Sequence, residues 1–178
     1  IDDNGNIYIA DGNRIRKIDN LGIITTIAGT ETKGYSGDDG PASSATLCEP
    51  SAVVVDNNGN LYIADRGNHR IRRVDTSGFI TTVAGTGTSG YSGDGGVAIA
   101  AQLSSPAGVA VDNCGNIYIS DSGNDRIRKI NSSGIISTVF GNSGELFGPN
   151  GVALDNHGNL YIADSGRNYI RKVALATS

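Results

Sequence analysis

The chain has 178 residues and a formal net charge of −4, with 14 Lys and Arg against 18 Asp and Glu. That acidic balance argues against a nucleic-acid partner, because phosphate binding needs a basic footprint, and the length fits one domain or part of one. No run of about 18 apolar residues is present, so no membrane insertion is expected, and a hydrophobic content of 38% suits thin repeated units better than one deep core.

One motif organises everything else. Gly5-Asn6-Ile7-Tyr8-Ile9-Ala10-Asp11 recurs with small changes from Gly59, Gly115 and Gly158, at spacings of 54, 56 and 43 residues. Self-similarity at such a period marks a solenoid, propeller or array. Within the third copy the pattern predicts four short strands: 107–111 (a), 116–120 (b), 126–130 (c) and 135–140 (d). Each is rich in β-branched residues and bounded by Gly, Asn, Asp or Ser. The a–b connection Asp-Asn-x-Gly-Asn reads as a tight turn, since Asn and Gly tolerate positive φ. Four antiparallel strands per repeat describe a β-propeller blade.

In chain order, blade 1 is expected at 1–30 with strands b, c and d, and blades 2 and 3, complete, at 51–85 and 106–141. Blade 4 is expected at 149–174 with strands a, b and c. The d-to-a connections 31–50 and 86–105 are insertions, and their Ala-rich ends, 42–47 and 98–103, suit one helical turn. This is an all-β architecture of about three and a half blades, expected to be a fragment or open arc of a larger ring, since propellers close with about 4–8 blades, with a strained four-bladed ring as the alternative.

The motifs Gly-Val-Ala-Val-Asp, Gly-Asn-Ile/Leu-Tyr-Ile-Ala-Asp and Gly67-Asn68-His69-Arg70-Ile71-Arg72 resemble the NHL-repeat family of propellers over nearly the whole chain. The other three copies depart from the Asn-His-Arg signature with Asn13-Arg14, Asp125 and Tyr169. The resemblance implies a six-bladed ring. Some members of that family bind RNA, but here the strand-c cations repeat evenly around the arc, and their expected role is pairing with the strand-b aspartates.

Long loops on a rigid scaffold usually carry function. In a propeller the d–a and b–c connections share one face. The candidate binding residues on that face are Tyr35, Asp38, Asp39, Tyr91 and Asp94 from the insertions, with Arg66, His69, Asp125 and Arg167 from the b–c turns. No cofactor is expected, although Asp38, Asp39 and Asp94 could pool as oxygen ligands for calcium. The Asp-Asn-x-Gly-Asn turns lack the closing Glu of a calcium loop, and their side chains are expected to cap the turn. Amidating lyases of similar propeller fold hold zinc with histidines, whereas this chain offers only His69 and His157, expected on opposite faces. Cys48 and Cys114 are likewise expected at opposite ends of a strand, too far apart for a disulfide.

The resulting expectation is a non-catalytic binding or assembly scaffold that acts on a protein partner or a ligand, or self-associates through its incomplete end blades. The alternative is part of a propeller lyase or hydrolase whose catalytic residues lie in other blades. Ser, Thr, Asn and Gly richness and the Asn131-Ser132-Ser133 sequon point to an extracellular or periplasmic setting.

Overall fold

Each copy of the motif forms the second strand of an antiparallel sheet. The computed structural model describes residues 1–175. Blade 1 contains β1 (Ile7–Asp11), β2 (Arg14–Ile18) and β3 (Ile24–Ala28). A two-residue strand, β4 (Gly40–Pro41), follows in the connector. Blade 2 is built from β5 (Ala52–Val55), β6 (Leu61–Asp65), β7 (Arg70–Val74) and β8 (Phe79–Ala84). Blade 3 comprises β9 (Pro106–Val111), β10 (Ile117–Asp121), β11 (Arg126–Ile130) and β12 (Ile136–Phe140). Blade 4 has β13 (Pro149–Leu154), β14 (Asn159–Asp164) and β15 (Tyr169–Ala174). The a-to-d strands lie within one residue of the expected ranges. The Ala-rich ends of the connectors form 3₁₀ turns at Ala42–Ser44 and Ala98–Ala100.

The four sheets stand side by side in an open arc, and the four-bladed closed ring is not formed. Parts of β1, β5, β9 and β13 line a shared central space of about 490 Å³. Alternation along each strand gives every blade two apolar faces. Tyr8, Ala10, Ile15 and Ala28 of blade 1 meet Leu61, Ile63, Val74 and Ile80 of blade 2. Tyr62, Ala64, Ile71 and Ala84 of blade 2 meet Ile117, Ile119, Ile130 and Ile136 of blade 3. Tyr118 and Ile127 of blade 3 meet Leu160 and Ile162 of blade 4. The core is therefore three parallel seams, each set by the same sequence positions.

Two local devices fix the blades. Strand d carries a bulge in three blades, with Ile27, Val83 and Val139 as the extra residues opposite the steps Ile15/Arg16, Ile71/Arg72 and Ile127/Arg128 of strand c. The glycine closing strand d completes that geometry: Gly85 has φ 93°, and a side chain there would collide with the His69 carbonyl oxygen. The a–b turns are capped by their leading aspartate. Asp155 accepts the N–H groups of His157 (2.9 Å) and Asn159 (2.8 Å), the Asn159 amide (2.7 Å) and the Tyr161 hydroxyl (3.2 Å). Asp2, Asp56 and Asp112 repeat the arrangement. The recurring strand-b tyrosine thus packs in the seam and ties its hydroxyl to the turn.

The capping bonds of Asn159 first, then the backbone and Tyr161 bonds, hold the Asp155 carboxyl at about 2 against an ordinary value of 3.8, while burial acts the other way. Because the folded value is depressed, the stability this turn contributes is complete above 3.8 and is lost as pH falls through about 2. A carboxyl-detected NMR titration is expected to give a midpoint near 2 for Asp155, returning toward 3.8 in Asn159→Ala; an ordinary midpoint in the unmodified chain would contradict the capping.

Candidate functional site

The insertions do not stand out as free loops. Residues 34–41 leave blade 1, cross the b–c face and join blade 2. The Asp39 N–H donates to the Ile80 carbonyl (2.8 Å) and the Ala42 N–H to the Gly78 carbonyl (2.8 Å), so β4 becomes a fifth strand on the outer edge of blade 2. The second insertion repeats this on blade 3 with a single bridge from Val97 to Ile135 and bonds from Gly95 to Ile136, Ile136 to Gly96 and Ala98 to Gly134. No strand pattern announced this pairing, because Gly-Pro has little strand propensity.

At the centre of each junction lies a buried arginine. Arg72 and Arg128 are both 0% exposed. Arg72 Nη2 donates to Asp38 Oδ1 at 2.7 Å and to the Ser36 carbonyl at 3.1 Å, and Nη1 reaches Asp65 at 3.4 Å. The Thr82 and Tyr35 hydroxyls each donate to Asp38 Oδ2 at 2.7 Å. The Tyr35 ring lies under the guanidinium of Arg70, 3.6 Å from its centroid, and 4.9 Å from that of Arg72. Blade 3 repeats the clasp: Arg128 to Asp94 at 2.7 Å, to Ser92 at 3.0 Å and to Asp121 at 3.3 Å. There, Tyr91 donates to Asp94 at 2.9 Å and stacks on Arg126 at 4.0 Å.

The two carboxylates on each arginine behave differently. Burial pushes Asp65 and Asp121 up, against bonds from Asn68 and Asn124, the Cys48 and Ser104 N–H groups and the arginine charge. Burial also acts upward on Asp38 and Asp94. For these two, the hydroxyl bonds of Tyr35 and Thr82, or of Thr138 and Tyr91, together with the arginine charge, outweigh it and hold them below the usual range.

The remaining candidates, Arg66 apart, serve the same junctions. The His69 Nδ1 accepts the Ser105 N–H at 3.0 Å, and the Asp125 carboxylate accepts the Gly148 N–H at 2.6 Å. Asn13, not singled out by the sequence, does the same for Glu49 at 3.2 Å. Three different side chains therefore pin the residue before the proline that opens the next blade. Arg167 holds the shorter third connector through the Gly144 (2.9 Å) and Glu145 (2.8 Å) carbonyls. Asp39, at φ 63°, contributes its N–H to the β4 pairing. Arg66 opens an exposed 3₁₀ turn. Asp38 and Asp94 belong to separate clasps, and among the described residues no three His, Cys, Asp or Glu side chains converge to hold a metal. Cys48 is buried and Cys114 exposed, both as free thiols. The signal for the clasp was nonetheless in the sequence: Asp38 precedes Arg72 by 34 residues, and Asp94 precedes Arg128 by 34.

Blade 1 carries the receiving residues of a clasp. Among the described residues Arg16 pairs only with Asp11, at 3.5 Å, and Arg14 pairs with Asp11 at 3.4 Å and Glu31 at 2.8 Å. Ile24 is 49% exposed where its equivalents Ile80 and Ile136 are fully buried.

Known proteins share this architecture. A model of the teneurin NHL domain matches residues 86–147, and the NHL-repeat model matches 47–74 and 148–172. Teneurin-3 of Mus musculus is 33% identical over 152 residues, covering 78% of this chain. Protein SUPPRESSOR OF QUENCHING 1, chloroplastic, of Arabidopsis thaliana is 37% identical over 97 residues, covering 54% of this chain. The chain spans only 5% and 9% of those two proteins' lengths. A streptogramin B lyase structure superposes with a TM-score of 0.65 at 16% identity, over 99% of this chain and 53% of the lyase, a likeness of fold.

Arg72→Ala leaves Asp65 buried without its charge partner and is expected to cost about 3–5 kcal/mol. Asp38→Ala removes one charged hydrogen-bonding partner at the rim and is expected to cost about 1.5–3 kcal/mol. Arg16→Ala, whose aspartate is half exposed, is expected to cost at most about 1 kcal/mol. Urea unfolding midpoints check the order; an Arg16 variant as damaging as the Arg72 variant would overturn the clasp as the source of the difference.

Proposed function

Because the chain belongs to the NHL-repeat family of β-propellers, we propose that it is a non-catalytic binding and assembly module whose contact surfaces are the open faces of its end blades. The carrying observation is a contrast at equivalent positions. Ile9 is 36% exposed and Ile24 49%, whereas Ile63, Ile119, Ile80 and Ile136 are fully buried against a neighbouring blade. At the other end Ile170 is 73% exposed. Apolar side chains exposed where their repeat equivalents are buried suit an interaction site. The long connectors, the first place to look for a ligand surface, are largely committed to holding blades together.

The two open faces are complementary in kind. Blade 4 offers Tyr161, Ala163 and Ile170, the positions that blade 1 uses (Tyr8, Ala10, Ile15) to cover blade 2. A second copy can therefore stack its blade 4 on blade 1 as a head-to-tail contact, closing a ring or extending a filament according to the rotation. Placement outside the cytoplasm belongs to this proposal too, supported by the exposed Asn131 sequon in the c–d turn of blade 3.

Light scattering across concentration is expected to show mass increasing from monomer to a larger species. Ile9→Lys with Ile24→Lys should abolish the increase without unfolding the chain, because both positions are already exposed. A monomer at every concentration would count against the self-assembly reading.

A further inference from the structure

The clasp in blades 2 and 3 is a peptide-binding site filled from the same chain. In each, one extended segment, Tyr-Ser-Gly-Asp-x-Gly, delivers a tyrosine to the first arginine of strand c, an aspartate to the second arginine and to the strand-d threonine, and backbone groups to the outer edge of strand d. The receiving elements are Arg70, Arg72, Thr82 and Ile80 in blade 2, and Arg126, Arg128, Thr138 and Ile136 in blade 3.

Blade 1 carries the same set in the same register. Arg14, Arg16, Thr26 and Ile24 stand at those four positions, with Arg16 opposite Thr26 as Arg72 is opposite Thr82. The sheet ends at β3, and among the described residues no strand covers its outer edge. By the equivalence with blades 2 and 3, the Ile24 carbonyl and N–H and the Gly22 carbonyl face that edge. Thr26 is exposed, and the Arg16 side chain retains 20% exposure where Arg72 and Arg128 have none. Glu31, on Arg14, is itself 85% exposed.

We propose that the outer rim of blade 1 binds an extended peptide segment of the form Tyr-Ser-Gly-Asp-x-Gly, contributed by a polypeptide outside residues 1–178. The aspartate binds Arg16 and Thr26, the tyrosine stacks on Arg14, and the residues after the aspartate add a strand to β3, the mode of β-strand addition. The first glycine of the motif is set by its backbone: Gly37 and Gly93 sit at φ 87° and 89°, the left-handed region that favours glycine. Sheet stacking does not need the clasp: blade 4 packs on blade 3 through the short connector 141–148, which lacks the motif. The rim site is therefore separable from self-stacking, although it rests on the same reading of blade 1 as an open binding surface.

The test is a fluorescence-anisotropy titration of the dilute full chain into a labelled peptide of residues 34–42, GYSGDDGPA. Saturable one-to-one binding is expected. Asp38→Asn in the peptide, or Arg16→Ala or Thr26→Val in the chain, should each weaken it by at least about tenfold, the loss of a charge-assisted hydrogen bond. Thr82→Val should leave it unchanged, which separates filling of blade 1 from displacement of the chain's own connector. No saturable binding, or binding indifferent to Arg16→Ala and Thr26→Val, would overturn the proposal. Self-association without peptide binding defeats this inference alone; loss of both defeats the open-face reading as well.

Discussion

A guanidinium fully removed from water cannot stand without compensating charge, since an uncompensated buried ion costs several kcal/mol. Arg72 and Arg128 meet that demand with two carboxylates each, one from their own blade and one from the preceding connector. The connector aspartate is thus obligatory for the buried charge, and its position dictates where the rest of the connector runs. Only arginine offers separate N–H groups in a fixed plane to two carboxylates and a carbonyl at once. From that one constraint follow the tyrosine under the neighbouring arginine, the added edge strand and the 3₁₀ turn that delivers Ala42 and Leu47, or Ala98 and Leu103, into the seam between blades.

Repeat proteins are held by interfaces between neighbours as much as by the units themselves. Here the apolar seams carry the area and the clasp carries the register. A flat apolar face tolerates sliding, whereas an aspartate that must reach a particular arginine does not. The junction between blades 3 and 4 shows a different balance. Its connector is shorter, Leu146 fills the seam, and Arg171 pairs, among the described residues, with Asp164 alone, at 2.7 Å and with its side chain 30% exposed. Where no second carboxylate is delivered, the arginine stays partly in water.

Period and turn chemistry made the blades legible in the sequence. The β-branched runs, the Asp-Asn-x-Gly-Asn turns and the recurrent Tyr place every long strand, because each is decided by local propensity and a two-residue alternation. The destination of the connectors was not legible from composition. Tyr35, Asp38, Tyr91 and Asp94 look like exposed loop residues when read alone, and they become junction residues only because Arg72 and Arg128 lie opposite them in space. His69 and Asp125 show the converse: dissimilar side chains at one repeat position share one task, which identity-based reading obscures. Among the described residues neither Asp39 nor Arg66 makes a side-chain hydrogen bond, and Asp39 serves the junction through its backbone N–H.

Each long connector is structurally a strand of the following blade. Native-state hydrogen exchange at two equivalent amides tests it directly. The Ile136 N–H, closed by the Gly96 carbonyl at 3.0 Å, is predicted to exchange only with opening of blade 3, alongside the amides of β11. The Ile24 N–H, at the open edge of blade 1, is predicted to exchange orders of magnitude faster, by local fluctuation. Equal and rapid exchange at both would mean that the connector lies loosely on its neighbour and that the clasp does not organise the arc.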